Sequence, residues 1–134
     1  EKINAALWWS RLQDRYSSAG IVWCGQPEAS ERVPGSLFDS VAENLLQNAL
    51  AKRQRQPGLN IVVTFTDATL RVADDGTPLV QNLADRVLQE PVNSEDGLGI
   101  GLYHAAQQAA AAGYCLELAE NAAGRVTFRL SVRP

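Results

Sequence analysis

The stretch Asp96-Gly97-Leu98-Gly99-Ile100-Gly101-Leu102-Tyr103 decides how the chain is read. Three glycines alternate with apolar residues, and an alanine-rich helical pattern follows from about Leu102 to Ala112. Glycine at alternate positions lets a ligand approach the backbone with no Cβ in the way. A loop of this kind feeding a helix start aims amide N–H groups and the positive end of the helix dipole at one spot, which suits phosphate. The spacing is not that of a dinucleotide fingerprint, which would need glycine where Leu102 stands, and no Gly-Lys-Ser/Thr follows as in a Walker A loop. Taken alone, the stretch is equally a tight loop capping a helix.

Outward from it, Glu90 to Asp96 is polar with Pro91, Asn93 and Ser94, and reads as a loop ahead of the glycines. Val80 to Leu88 has the spacing of a weak helix. Upstream, Leu59 to Thr66 is rich in β-branched residues, Asp67-Ala68 turns, and Thr69 to Ala73 returns as a hairpin. The return strand runs into Asp74-Asp75-Gly76-Thr77-Pro78. A carboxylate at a strand end beside a glycine turn is a common ligand contact, and equally a plain turn initiator.

A helix is expected from Ser36, as its N-cap, to Gln54, with Asp39 in the first turn and Leu37, Val41, Leu45 and Leu46 as its apolar stripe. Asn44 and Asn48 fall on one face of it, and Lys52 extends that line by a turn. Asparagine is a mediocre helix former, so two in register call for a reason. Residues 2–17 carry a helical stripe of Ile3, Leu7, Trp8, Leu12 and Tyr16. Trp8 and Trp9 are adjacent, so Trp9 belongs either to the rim of that stripe or to a surface covered by a neighbouring domain. Ile21 to Cys24 reads as a short strand. After the alanine-rich helix, Gly113 serves as C′ residue, and Tyr114–Ala119 and Arg125–Val132 form two strands.

The 134 residues suffice for one domain. With 46% apolar and 20% charged residues the composition is that of an ordinary globular domain. A net charge of −3 without a basic stripe argues against nucleic acid as a partner. No apolar run approaches the roughly 20 residues of a membrane span. Cys24 and Cys115 each sit in a strand-like apolar run and read as buried free thiols. A chain that starts at Glu1 and has no Met reads as an excised domain. The element order implies an α/β (α+β) two-layer sandwich: one mixed, mainly antiparallel sheet packed on one face by helices.

Three stretches occur in a telling order. Ala42-Glu43-Asn44-Leu45-Leu46-Gln47-Asn48-Ala49 resembles the N box of the GHKL (Bergerat) ATP-binding fold, and of sensor histidine kinases in particular. Val72-Ala73-Asp74-Asp75-Gly76 resembles its G1 box, and Gly97-Leu98-Gly99-Ile100-Gly101-Leu102 its G2 box. The closing hairpin, with Gly124 and then Val126-Thr127-Phe128, is similar to the family's last motif.

The resemblance implies a catalytic domain that binds ATP and Mg²⁺ and presents the γ-phosphoryl group to a histidine elsewhere. In that reading Asp74, at the Gly76 turn, accepts from the adenine amine with Thr127 assisting. Asn48 holds Mg²⁺, and Asn44 lies on the metal or phosphates; these two form the catalytic pair. Gly97, Leu98, Gly99, Ile100, Gly101 and Leu102 meet the phosphates, and residues from about Val80 to Asp96 form a lid over ATP. It also implies an upstream dimerisation and histidine-acceptor domain, to which residues 1–17 would be the trailing attachment, with 18–134 the catalytic domain proper. A downstream response regulator, a homodimeric parent protein, a cytoplasmic location for this domain and an inner-membrane attachment for the parent belong to the same expectation.

Departures from the family pattern are visible. Pro78 stands where a second glycine is usual in the G1 box. The Lys-Tyr pair that often follows the N box is absent; Lys52 and Arg53 sit one position later, and Lys52 is counted among the nucleotide-binding residues the resemblance implies. Pro91-Val92-Asn93-Ser94 replaces the lid's usual aromatic motif. ATP-hydrolysing relatives and anti-sigma serine kinases carry a general-base Glu where Asn44 stands, and Glu43 points about 100° away. An imidazole acceptor needs no strong base, so a histidine kinase fits better than a serine kinase; a nucleotide-binding scaffold without catalysis is the further alternative. His104, the sole histidine, lacks the surroundings of a phospho-acceptor and reads as a helix-surface residue.

Overall fold

A computed structural model describes residues 1–92 and 100–134. Among them are seven strands and four helices: β1 (Lys2–Asn4), α1 (Ala5–Arg15), β2 (Ile21–Cys24), β3 (Arg32–Pro34), α2 (Gly35–Arg55), β4 (Ile61–Thr66), β5 (Thr69–Asp74), α3 (Gln81–Ala84), α4 (Gly101–Ala111), β6 (Tyr114–Ala122) and β7 (Arg125–Val132). Five strands form one sheet in the order β2-β4-β5-β7-β6. Only β2 and β4 run parallel; the other neighbours are antiparallel. This is the mixed, mainly antiparallel sheet with helices on one face that the element order implies.

Strand alternation sorts the sheet into two faces. Ile61, Val63, Phe65, Leu70, Val72, Leu116 and Leu130 are buried on the helix side, with Leu45, Leu46, Leu102, Ala105 and Ala109 from α2 and α4. Val62, Thr64, Arg71 and Ala73 lie on the opposite face and are only partly buried. The β4–β5 hairpin turns through Asp67 and Ala68, both at positive φ (51° and 57°), the pair of left-handed residues that a two-residue hairpin turn demands.

The first seventeen residues differ from the continuous helix expected. Lys2–Asn4 pairs antiparallel with β3, and Asn4 then caps α1 by accepting from Leu7 N at 2.9 Å. Strands of three residues are too short to leave a periodic trace. Trp8 and Trp9 are both buried, at 2% and 4% exposure. They manage this from adjacent positions because aromatic partners meet them on two sides. Trp8 packs edge-on to Phe38 at 5.4 Å and donates to Asp39 Oδ1, while Trp9 packs edge-on to Trp23 at 5.5 Å and donates to the Gly25 carbonyl.

Helix α2 begins one residue before the expected Ser36 cap. Pro34 holds the cap position without a side-chain hydrogen bond, and the Gly35 N–H is satisfied instead by the Glu1 carbonyl at 3.3 Å. Helix α3 covers only Gln81–Ala84 of the 80–88 expectation, followed by turns that bury Val87. The last hairpin is longer than expected on its first strand, which bulges between Leu118 and Glu120. Both cysteines are free thiols, but Cys24, on the edge strand β2, is exposed rather than buried. Among the described residues no helix is long and apolar enough to cross a membrane.

Candidate functional site

The site lies in the cleft between the middle of α2 and the ends of β5 and β7. Leu45, Asn48, Ala49 and Lys52 line it from the helix, and Val72, Asp74, Val126 and Phe128 from the sheet. The apolar walls follow from the core stripe of α2 and the inward face of the sheet. The polar groups stand where each element runs out of core to cover.

Asp74 is the last residue of β5. Its Oδ1 accepts from the Gly76 N–H at 2.9 Å and from Lys52 Nζ at 2.9 Å. No described donor reaches Oδ2. Lys52 Nζ also donates to the Thr77 carbonyl at 2.7 Å. The ion pair is well covered, with side chains 12% and 11% exposed. Lys52 is thus drawn to the strand end rather than towards α4. A Cβ on Gly76 would crowd the side-chain ends of Leu59 and Gln56 and stand 2.9 Å from Lys52 Cε.

Asp75 has a different job. Its two carboxylate oxygens accept from the Asn60 backbone N–H at 2.7 Å and the Asn60 side-chain amide at 2.8 Å. Those bonds, the side-chain one foremost, hold its carboxyl below the ordinary carboxylate value. The turn after Asp74 is therefore stapled to the start of β4. Gln56 braces the same turn through Thr77, donating to its hydroxyl at 2.8 Å and accepting from its N–H at 3.0 Å. Asn121 on β6 completes the brace by bonding the Leu79 N–H and carbonyl, both at 2.9 Å. Gln56 and Asn121 were not legible as site residues: Asn121 meets a partner 42 positions away, and nothing local marks it.

Asn48 lines the cleft, and its Nδ2 is buried with no hydrogen-bond partner among the described residues. A buried orphan amide is costly and rare. Asn44, one turn earlier, commits its Nδ2 to the Ser40 carbonyl at 3.0 Å. Its Oδ1 stands against the first residue of α4, where a Cβ on Gly101 would collide with it. Asn44 thereby meets the helix start that follows the glycine stretch. Ile100 holds the N-cap position of α4 and is exposed, whereas Leu102 is fully buried in the core. Gly97, Leu98 and Gly99 lie outside the described residues.

The β5–β7 register places Val126, not Thr127, opposite Asp74. Thr127 therefore faces the other side of the sheet, as any one-residue offset on a strand dictates. There it is 3% exposed and donates to Glu120 Oε1 at 2.9 Å, within a groove of about 410 Å³ that Arg71 and Arg125 also line. Asp74 also lines this groove, while the Thr127 hydroxyl is committed to Glu120. Glu120, bonded first by Arg125 and then by Thr127, has its carboxyl lowered. His104 is exposed on α4, against Tyr103, and takes no part in the cleft.

The donor set suits a hard cation of few protein ligands. Among the described residues no group of three His, Cys, Asp or Glu stands together. The amide oxygens of Asn44 and Asn48 are neutral groups of the kind that share Mg²⁺ with phosphate and water, whereas the partnerless Asn48 Nδ2 is a donor and suits a phosphate oxygen.

No protein-family model matches the chain, and no curated protein matches it. Solved structures do. The catalytic domain of histidine kinase ThkA superposes with a TM-score of 0.70 at 17% identity, over 99% of this chain and 94% of that one. The mycobacterial sensor histidine kinase MprB gives 0.70 at 19% identity, over 100% and 98%. Full-length ShkA, solved in complex with AMPPNP, gives 0.75 at 16% identity over 98% of this chain, which spans 30% of ShkA. The chain has the fold of sensor histidine kinase catalytic domains.

Proposed function

We propose that the chain is the ATP-binding catalytic domain of a sensor histidine kinase. The observation that carries this reading is the buried, partnerless Nδ2 donor of Asn48, which calls for an acceptor such as a phosphate oxygen, in the same cleft as the Asp74 carboxylate, on a fold shared with such domains. One end of the cleft offers a carboxylate for an adenine amine. One turn along α2 from Asn48, Asn44 stands against the start of α4, where a helix dipole favours phosphate. Asn48 and Asn44 would hold Mg²⁺, which when bound supplies charge neutralisation at the phosphates. Gly97, Gly99 and Gly101 would approach those phosphates by backbone N–H groups. ShkA carries a nucleotide analogue in its structure, which is consistent with a nucleotide in the corresponding cleft here.

The chain's part in transfer is binding and orientation, the main work of a phosphoryl-transfer catalyst. Asn44 cannot act as a general base, and Glu43 is exposed on another face of α2. An imidazole acceptor, which brings its own lone pair, fits that lack. His104 is exposed and does not line the cleft, and the acceptor histidine in this reading lies on another domain. A dimeric, membrane-attached parent and a response regulator downstream complete the proposal.

The test is transfer from γ-labelled ATP to a histidine-bearing helical hairpin supplied in trans. Acid-labile, base-stable label on the hairpin is expected, as phosphohistidine gives. Acid-stable label would indicate a serine kinase, and no label with normal ATP binding would indicate a scaffold.

A further inference from the structure

Lys52 stands out because two of its three ammonium N–H groups are committed at the base end of the cleft, to Asp74 Oδ1 and the Thr77 carbonyl. Asp74 Oδ1 takes both donors that the protein supplies, leaving Oδ2 to a ligand. One ion pair thus carries a spare donor beside a spare acceptor. The pairing edge of adenine is the complement: the N6 amine donates and the adjacent N1 accepts. We propose that Lys52 reads the base, donating to adenine N1 while Asp74 Oδ2 accepts from N6. This rests on the nucleotide reading above and assigns Lys52 to the base instead of the phosphates.

The surroundings support the assignment. The Lys52 stem is packed over the glycine turn, with Cε 2.9 Å from where a Gly76 Cβ would stand. Reaching phosphates at the start of α4 would mean leaving both partners and stripping a well-covered carboxylate of its counter-ion, which is costly.

The test titrates the unaltered chain and Lys52→Met with adenosine, ATP and 1-deazaadenosine, in which C–H replaces N1. In the unaltered chain 1-deazaadenosine should bind about tenfold more weakly than adenosine, the worth of one hydrogen bond to a charged donor. In Lys52→Met that difference should vanish, and adenosine and ATP should weaken by the same factor. Equal binding of adenosine and 1-deazaadenosine to the unaltered chain would overturn the assignment. So would a Lys52→Met variant that weakens ATP but not adenosine, the mark of a phosphate ligand, or one that tightens both, the mark of a side chain blocking the cleft. An unaltered chain that binds neither adenosine nor ATP would overturn the nucleotide reading and this assignment with it.

Discussion

Asn44 Oδ1 occupies the space that a Cβ on Gly101 would need. Helix α2 and the helix that follows the glycine stretch are therefore fitted to each other through one amide oxygen and one missing side chain. Gly101→Ala should push Asn44 or the first turn of α4 aside, at about 1–3 kcal/mol of stability, and should weaken ATP binding about tenfold. Adding Asn44→Ala should restore most of the stability, because the clash needs both partners. Denaturant unfolding of the two single variants and the double variant checks this; strictly additive losses would show the contact to be unimportant.

Asn48→Ala removes a buried donor that has no partner, so the usual loss on truncating a buried amide should be offset. Stability should stay within about 1 kcal/mol of the unaltered chain. The gain in ATP affinity on adding Mg²⁺ should be lost, with adenosine binding unchanged. Calorimetry with each ligand separates the two effects, and equal losses for adenosine and Mg·ATP would remove Asn48 from the metal site.

Trp8 ties residues 1–17 to the core. Trp8→Ala should cost about 3–5 kcal/mol, the range for truncating a buried tryptophan, and deletion of residues 1–17 should abolish cooperative unfolding. A shortened chain that melts like the full one would contradict the packing of α1 against Phe38 and Phe65.

Asp75 has its carboxyl lowered from an ordinary value of 3.8 by the hydrogen bonds from Asn60. The folded state thus favours the charged form. The stability this contributes is present in full above the ordinary value and is lost as pH falls through the lowered one. Glu120, lowered by Arg125 and Thr127, acts with the same sign. Melting temperatures from about pH 6 down to about pH 2 should fall on the acid side, and Asp75→Asn should flatten part of that fall. An acid limb unaltered in Asp75→Asn would assign the loss to other carboxylates.

The long elements were legible because their periods are long. The apolar stripe of α2 and the β-branched runs of β4 and β5 announce themselves over many residues, and with them the in-register asparagines and the strand-end aspartate. What escaped depends on pairing at a distance. β1 and β3 are three-residue strands defined only by each other. Thr127 and Asp74 stand 53 positions apart, and only the β5–β7 register shows that Thr127 pairs with Ala73 while Val126 pairs with Asp74. Lys52 appeared one position late for a phosphate contact, and the strand end that it meets instead lies 22 residues further on. Asn121 and Gln56 matter only through the turn they hold, which no local pattern reveals.

The most direct test of the central claim is a calorimetric titration of the chain with a non-hydrolysable ATP analogue, with and without Mg²⁺, repeated on Asp74→Asn. The account expects micromolar, Mg²⁺-dependent binding to the unaltered chain and none to a folded Asp74→Asn variant. Binding that survives in Asp74→Asn, or no binding to the unaltered chain at millimolar nucleotide, would contradict it.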